Sequence, residues 1–215
     1  VLLTGCQDAM IENMKCEWME YPKVVDVQDP VFTWSYSSSA DKNFIEAGHS
    51  IAIAETPEEA LAGKRVERLE SFTDYYWAVT AWNADSSIVY KSPVAKFSTG
   101  AFRMSDWSAE WITDECDKDE YRSPMLRKAF SVNKGVCSAK LYFSAAAYAK
   151  ATLNGQQMAN AVLEPGYTAY DCRNLYTMYD VTSQIRKGEN VLAAVLGNGF
   201  YNAIQHVGTW GFEKA

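Results

Sequence analysis

Leu69-Glu70-Ser71-Phe72-Thr73-Asp74-Tyr75, which runs on into Tyr76-Trp77-Ala78-Val79-Thr80-Ala81, is the stretch that decides the fold of the first half of the chain. Successive side chains of a strand point to opposite faces of the sheet. One face of this strand consists of Tyr75, Trp77, Val79 and Ala81. An unbroken apolar face of this kind is typical of a strand that packs against a core. The stretch therefore predicts a long inward-facing strand that follows a polar crossover.

The order of leucine, threonine and tyrosine before this strand resembles the tyrosine corner of fibronectin type III domains. In that corner the phenol hydroxyl bonds to the backbone of the preceding crossover. Tyr75 is therefore expected to have a structural role, and Trp77 and the earlier Trp34 are expected to fill the core. Tyr76 and Trp82, on the opposite face, are candidates for sugar stacking, although such aromatics more often cover edges or interfaces.

Composition and turn signals extend the all-β prediction to the whole chain. The 215 residues are 48% hydrophobic, which excludes a disordered protein. Short runs of β-branched and aromatic residues recur between Gly, Pro, Asn and Asp clusters. One short helix is expected over Thr56–Gly63, with a capping hydroxyl and a proline at its start.

The net charge of -7 argues against nucleic acid as a partner, because the phosphate backbone attracts clustered Lys and Arg.

The second half reads as a jelly-roll β-sandwich of the carbohydrate-binding type. Alternating strands are predicted at Met125–Val132, Ala139–Phe143 and Tyr148–Leu153, and Asn154-Gly155 is a hairpin signal. Gly188–Gly197, which is continuously apolar from Val191 to Leu196, predicts a central strand buried on both faces. The expected organisation is residues 1–18 as leader and linker, 19–100 as the fibronectin-like domain, and 101–215 as the second sandwich, incomplete at its end.

The first six residues, Val1-Leu2-Leu3-Thr4-Gly5-Cys6, resemble the lipobox of bacterial lipoproteins. This resemblance implies an exported protein, periplasmic or at the cell surface, with a lipid on Cys6. Chance apolar residues ahead of a structural cysteine remain the alternative. The other cysteines, Cys16, Cys116, Cys137 and Cys172, permit three pairings, none of which the spacing favours.

An ordered set of motifs resembles the N-terminal region of bacterial α-L-rhamnosidases. The motifs are Arg127-Lys128-Ala129-Phe130, Leu153-Asn154-Gly155, Glu164-Pro165-Gly166-Tyr167-Thr168-Ala169-Tyr170, Tyr179-Asp180-Val181-Thr182 and Leu196-Gly197-Asn198-Gly199-Phe200-Tyr201-Asn202. Phe200 departs from the family's more usual tryptophan, and Ala145-Ala146-Ala147 stands where the family often has glycine. The resemblance implies that catalysis belongs to a downstream (α/α) barrel, so this chain is expected to be inactive alone. Inverting hydrolysis needs a paired acid and base, and the sequence suggests no such pair.

Two loops carry the candidates for sugar contact. These are Tyr167, Tyr170, Asp171, Asn198, Tyr201 and Asn202, which combine aromatic rings with amide and carboxylate groups. The competing interpretation is that the tyrosines pack the loops and the asparagines hold turns. The acidic stretch 113–123 lacks the glycine of an EF-hand loop and is therefore interpreted as a solvated loop rather than a calcium site. No metal or other cofactor is expected.

Three functions remain open at this point. The first is the non-catalytic front of a rhamnosidase that supports or positions a missing barrel, with a rhamnose-containing glycan and that barrel as its partners. The second is a stand-alone carbohydrate-binding protein. The third is a cell-surface scaffold of stacked sandwiches, with the lipid anchor as its membrane contact, and fold alone does not separate the three.

Overall fold

The computed structural model describes residues 10–114, 123–199 and 201. It divides into two compact units, Val1–Ala109 and Glu110–Ala215. Both units are built almost wholly of antiparallel strands, which confirms the all-β prediction. No described helix is long and apolar enough to span a membrane.

The first unit has six strands and one short helix. They are β1 (Ile11–Cys16), β2 (Phe32–Tyr36), β3 (Gly48–Ala54), α1 (Pro57–Leu61), β4 (Asp74–Trp82), β5 (Val89–Lys91) and β6 (Ala95–Ser98), followed by a one-turn 3₁₀ helix (Met104–Asp106). β1 pairs with β2 in one sheet. In the other sheet β4 pairs with β3 on one side and with β5 and then β6 on the other. Helix α1 begins where predicted, with the Thr56 hydroxyl accepting a hydrogen bond from the Glu59 amide.

Strand β4 supplies the centre of the first core. Tyr75, Trp77 and Val79 are each only 1% exposed. Phe32 of β2 packs on Trp77 with ring centroids 4.5 Å apart, and it also contacts Phe97 of β6 at 5.8 Å. Because β2 and β4 belong to different sheets, these contacts close a two-layer sandwich.

The first strand begins before the predicted start of the domain at residue 19. Ile11 and Cys16, at the two ends of β1, are both buried in the core. Burial raises the pKa of the Cys16 thiol to about 12, so this side chain is a neutral apolar group. Part of the segment predicted as a linker is therefore a core strand. Cys16, Cys137 and Cys172 are free thiols.

The second unit has two sheets. Its strands are β7 (Met125–Val132), β8 (Lys140–Ser144), β9 (Tyr148–Leu153), β10 (Gln156–Gln157), β11 (Tyr176–Asp180) and β12 (Gly188–Gly197). The order in the larger sheet is β10-β9-β12-β7, and β11 pairs with β8 in the smaller one. Strand β12 is central, as predicted, because it is paired on both sides.

The prediction that β12 is buried on both faces is wrong. Within the strand only Asn190 is fully buried, and Val195 is 41% exposed. Pairing protects the edges of a strand, whereas burial of its faces requires a second layer. Among the described residues that layer covers β12 only in part.

A pair of amide side chains ties the start of β12 to the turn after β9. Asn190 Nδ2 donates to the carbonyls of Arg186 (2.8 Å) and Gly188 (3.0 Å). Its Oδ1 accepts from the Arg186 amide (3.0 Å) and from Asn154 Nδ2 (2.9 Å). Asn154 Oδ1 in turn accepts from the Val191 amide at 2.9 Å. We call Asn154 and Asn190 the amide pair; its buried member is fully hydrogen-bonded, as a buried polar group must be.

Candidate functional site

The loop between β10 and β11 carries three of the six candidate residues and is held by its own hydrogen bonds. Asn174 Nδ2 donates to the Tyr170 carbonyl at 3.0 Å, and the Cys172 amide donates to the Ala169 carbonyl at 2.9 Å. Glu164 anchors the beginning of the loop, since its carbonyl accepts from the Ala149 amide of β9 at 2.8 Å. The loop is thus fixed at its root and internally braced.

The Glu164 side chain makes a second anchor. Its Oε2 accepts a hydrogen bond of 2.7 Å from the Tyr179 hydroxyl on β11. Burial and the neighbouring carboxylate raise the pKa of Tyr179 to about 12, so the phenol stays protonated and remains a donor. Glu164 therefore acts as a structural brace in this loop.

Three of the candidate tyrosines lie together. Tyr170 contacts Tyr167 on one side and Tyr201 on the other, each with ring centroids 5.7 Å apart. Both contacts are edge-to-face, with interplanar angles of 88° and 87°. We call these three residues the tyrosine row. Its outer members are 48% (Tyr167) and 58% (Tyr201) exposed, so two phenol rings are accessible.

The middle ring of the row is a packing residue. The Tyr170 hydroxyl is shielded from solvent without a hydrogen bond of standard geometry to any described residue. Burial raises the pKa of this phenol, with a further contribution from the nearby Tyr148. Tyr170 thus separates and orients its neighbours.

Close packing positions the chain that leads to Tyr201. A Cβ atom on Gly199 would lie 2.8 Å from the Ala147 Cβ and 3.0 Å from the Tyr148 ring, and Gly199 has φ +46°. Ala147 itself is buried at φ +84°, a conformation that favours glycine. The alanine noted as a departure from the family pattern therefore stands at a strained backbone position.

The structure describes two of the remaining candidate residues for sugar contact. Asp171 follows Tyr170 and is exposed, and Asn198 is half-buried just beyond the end of β12. Asn202, Cys6 and Cys116 lie outside the described residues. The structure thus groups the three tyrosines, and the described polar candidates are an exposed carboxylate (Asp171) and a half-buried amide (Asn198). Two rings perpendicular to a shared spacer can each stack on a sugar ring, but they do not form one flat platform.

Tyr75, Trp77 and Trp34, which were predicted to have structural roles, all lie in strands of the first unit. The Tyr75 hydroxyl accepts a hydrogen bond of 2.8 Å from the Glu70 amide, which is the geometry of a tyrosine corner. Trp77 is buried, whereas Trp34 is partly buried and donates to the Tyr36 hydroxyl at 3.4 Å.

Tyr76 and Trp82, on the outer face of β4, are covered by neighbours. Lys96 Nζ lies 5.6 Å above the Tyr76 ring. The Trp82 indole packs so closely on Gly48 that a Cβ there would be 2.9 Å from Nε1. These contacts favour a covering role over sugar stacking.

Sequence reasoning missed one polar cluster in the first unit. The Tyr36 hydroxyl donates to Glu46 Oε2 at 2.5 Å, and Glu46 Oε1 lies 2.7 Å from His49 Nδ1. Burial acts to raise the pKa of Glu46, but the hydrogen bonds from Tyr36 and His49 outweigh it and hold that pKa below its usual value. Tyr36 lies in β2, Glu46 in a loop and His49 in β3, so no local sequence pattern predicts the cluster.

The described residues contain no group of three or more side chains suited to a metal ion, and residues 115–122 of the acidic stretch lie outside them.

Two family models match the chain in succession. Residues 11–103 match a Rha78A-like, N-terminal immunoglobulin domain, and residues 134–214 match the alpha-L-rhamnosidase N-terminal domain. The first model is of the immunoglobulin type, where the sequence suggested fibronectin type III; both are antiparallel two-sheet sandwiches.

Curated proteins and a solved structure show the same likeness. The alpha-L-rhamnosidase of Alteromonas sp. (strain LOR) is 30% identical over 201 residues, which are 80% of this chain and 22% of that protein. An alpha-L-rhamnosidase of Streptomyces avermitilis is 43% identical over 77 residues, 35% of this chain and 8% of that protein. The structure of alpha-L-rhamnosidase from Dictyoglumus thermophilum superposes with a TM-score of 0.75 at 28% identity, covering 89% of this chain and 25% of that one. The chain therefore spans a quarter or less of the length of these proteins.

Proposed function

We propose a function from one premise: the chain is homologous to the N-terminal regions of α-L-rhamnosidases and covers only part of their length. It is the non-catalytic N-terminal region of an α-L-rhamnosidase-like glycoside hydrolase that acts on rhamnose-containing glycans. Its role is to support or position an (α/α) barrel that lies outside this chain. The observation that carries the proposal is the succession of two matching domain models along one chain.

A hydrolysis assay tests the non-catalytic part of this proposal. We expect the purified chain to show no measurable turnover of an aryl α-L-rhamnoside, because glycoside hydrolysis needs a positioned acid and base. A heat-killed sample of the same preparation is the matched control. Turnover above that control that persists after repurification would contradict the proposal.

The DNA downstream of the codon for Ala215 tests the parentage. We expect a reading frame, intact or interrupted, that encodes a helical barrel with paired carboxylates. A frame that encodes an unrelated domain would favour the alternative of a cell-surface scaffold built of sandwiches.

The tyrosine row favours a second candidate function, direct binding of a rhamnose-containing glycan. Its support is that Tyr167 and Tyr201 are exposed rings held by a packed neighbour. Tyr167→Ala and Tyr201→Ala should each weaken glycan binding roughly two- to tenfold, the effect of losing about 0.5–1.5 kcal/mol of aromatic contact. Tyr21→Ala, at an exposed tyrosine of the first unit, is the matched control. Equal affinities for all four proteins in calorimetry would exclude the row as a sugar site.

We further propose that Cys6 carries a lipid and that the protein is exported to the periplasm or the cell surface. The support is the apolar run and small residues that precede this cysteine. Several acyl chains, each buried methylene contributing about 0.8 kcal/mol, make membrane attachment effectively permanent. When the gene is expressed with its complete signal segment, the protein should partition with membranes and Cys6→Ser should abolish this. Mass spectrometry that finds an unmodified Cys6 in soluble, processed protein would contradict the anchor.

A further inference from the structure

A cavity of about 190 Å³ opens in the first unit beside the tyrosine corner. One wall is the crossover from Arg68 to Phe72, and the other is the segment from Phe102 to Asp106; Gln28 also lines the cavity. All of these residues belong to the first unit. The cavity is separate from the tyrosine row, which belongs to the second unit.

The crossover that forms the first wall is held by three hydrogen bonds. Gln28 Nε2 donates to the Leu69 carbonyl at 3.0 Å. The Glu70 amide donates to the Tyr75 hydroxyl at 2.8 Å, and the Glu70 carbonyl accepts from Thr99 Oγ1 at 2.6 Å. A wall fixed in this way loses little conformational freedom when a ligand binds.

Hydrogen bonds also fix the second wall, the segment from Phe102 to Asp106. Ser71 Oγ donates to Asp106 Oδ2 at 2.6 Å and accepts from the Phe102 amide at 3.0 Å. The Arg103 amide donates to the same carboxylate oxygen at 3.0 Å. The hydrogen bond from Ser71 contributes most to a lowered pKa of Asp106, so the cavity contains a fixed anionic acceptor.

Phe72 adds an aromatic surface in a strained backbone conformation. Its φ is +58°, which is uncommon for a bulky residue. The conformation is held by the hydrogen bond from the Phe72 amide to the Gly100 carbonyl (3.1 Å) and by an edge-to-face contact with Trp107 at 5.8 Å. Strain of this kind persists where the surrounding structure fixes it and is concentrated at functional sites.

Charges at the cavity are balanced. Arg68 and Arg103 line it together with Glu70 and Asp106. The ion pairs Glu46–His49, Glu59–Lys64 and Asp74–Lys96 involve neither arginine, and no described carboxylate lies within 4 Å of the Arg68 or Arg103 guanidinium. Balanced charge disfavours a simple anion, whereas fork-shaped donors, carboxylate acceptors and an aromatic ring suit a neutral ligand with many hydroxyl groups.

We propose that this cavity binds one sugar unit of a neutral glycan, as a contact separate from the tyrosine row. Arg68, Gln28, Arg103 and Asp106 supply the polar lining, with Phe72 as the apolar surface. The choice of sugar rests on the proposed function, because that function supplies a rhamnose-containing glycan. The geometry of the cavity does not depend on it.

Titration of the ¹⁵N-labelled 215-residue chain with L-rhamnose tests the proposal. Amide shifts should saturate at Gln28, over 68–72 and over 102–107, with a dissociation constant on the order of 1–10 mM, the range for so small a ligand. Arg68→Ala should weaken this binding at least about fivefold, a loss near one charge-assisted hydrogen bond. Arg127→Ala, at an exposed arginine of the second unit, should leave it unchanged.

Other outcomes overturn the proposal. Shifts confined to the tyrosine row, or no saturable shifts anywhere, would remove the cavity as a sugar site, and stronger binding of D-glucuronate than of L-rhamnose would show that the ligand class is anionic. The spectrum of Arg68→Ala without sugar reports whether the variant is folded. None of these results alters the parentage, which the downstream reading frame tests separately.

Discussion

The two units reach stability by different means. The first has a core of large side chains, including Trp77, Tyr75 and Phe97, each 1% exposed. Three of the buried described residues of the second are alanines (Ala145, Ala147 and Ala151), and its largest described side chain below 2% exposure is a polar one, Asn190. A hydrocarbon core is non-directional, whereas a hydrogen-bonded amide fixes the relation of two chain segments. The comparison shows that similar sandwich patterns in a sequence can rest on different interactions.

The largest expected effect is the loss of the central aromatic of the first core. Trp77→Ala should destabilise the first unit by about 3–5 kcal/mol, because it removes a fully buried indole and leaves a cavity. Hydrogen exchange of the β4 amides measures the effect. An exchange rate close to that of the wild type would show that the first unit does not depend on this core.

The matching change in the second unit removes the buried amide. Asn190→Ala should cost about 2–4 kcal/mol, since it leaves the Arg186 backbone groups without their partner and takes one partner from Asn154. Hydrogen exchange of β12 reports it. Asn133→Ala, at an exposed asparagine, is the control and should have little effect. If both variants behave alike, the amide pair does not distinguish the two units.

A smaller effect is expected at the tyrosine corner. Tyr75→Phe keeps the packed ring but removes the acceptor of the Glu70 amide, so the first unit should lose roughly 1 kcal/mol. Tyr76→Phe, on the opposite face of the same strand, should be nearly neutral. Chemical denaturation gives both values, and an unchanged midpoint for Tyr75→Phe would mean that the corner contributes nothing.

The smallest expected effect depends on pH. The pKa of Glu46 is lower in the folded protein than its ordinary value, so its stabilising contribution is complete above that ordinary value and is lost as the pH falls through the folded one. Burial opposes this shift, while Tyr36 and His49 cause it. Denaturation midpoints of the wild type and of Glu46→Gln should therefore converge as the solution is acidified. A gap that stays constant down to about pH 3, below the usual carboxyl range, would contradict the assignment.

Alternation and turn chemistry were sufficient to predict much of the sheet structure. The bounds of β7 and β12 agree with the predicted Met125–Val132 and Gly188–Gly197, and Asn154-Gly155 forms the expected turn with positive φ at both residues. Strand β1 was missed because Ile11-Glu12-Asn13-Met14-Lys15-Cys16 does not alternate cleanly, and its pairing contains a register shift. Its burial depends on partners far along the chain.

The sites were predicted less completely than the fold. The aromatic and polar residues of the two loops were enough to predict Tyr167, Tyr170 and Tyr201 as candidates. The edge-to-face contacts between their rings depend on three-dimensional packing. The cavity beside the tyrosine corner had no sequence signal, because Gln28, the 68–72 crossover and the 102–106 segment are widely separated in the chain. These three segments are brought together by long-range contacts, which a local sequence pattern does not predict.

The central position of β12 has a consequence for synthesis on the ribosome. Strand β7 ends at Val132, and its partner in β12 begins at Gly188, 56 residues later. The strands of the first unit are all complete by Ser98. The first unit can therefore fold while the second is still being translated, whereas β7 must wait with an unpaired edge until the end of β12 has left the exit tunnel. During that interval β7 and β9 are the segments of the second unit most exposed to pairing with another nascent chain.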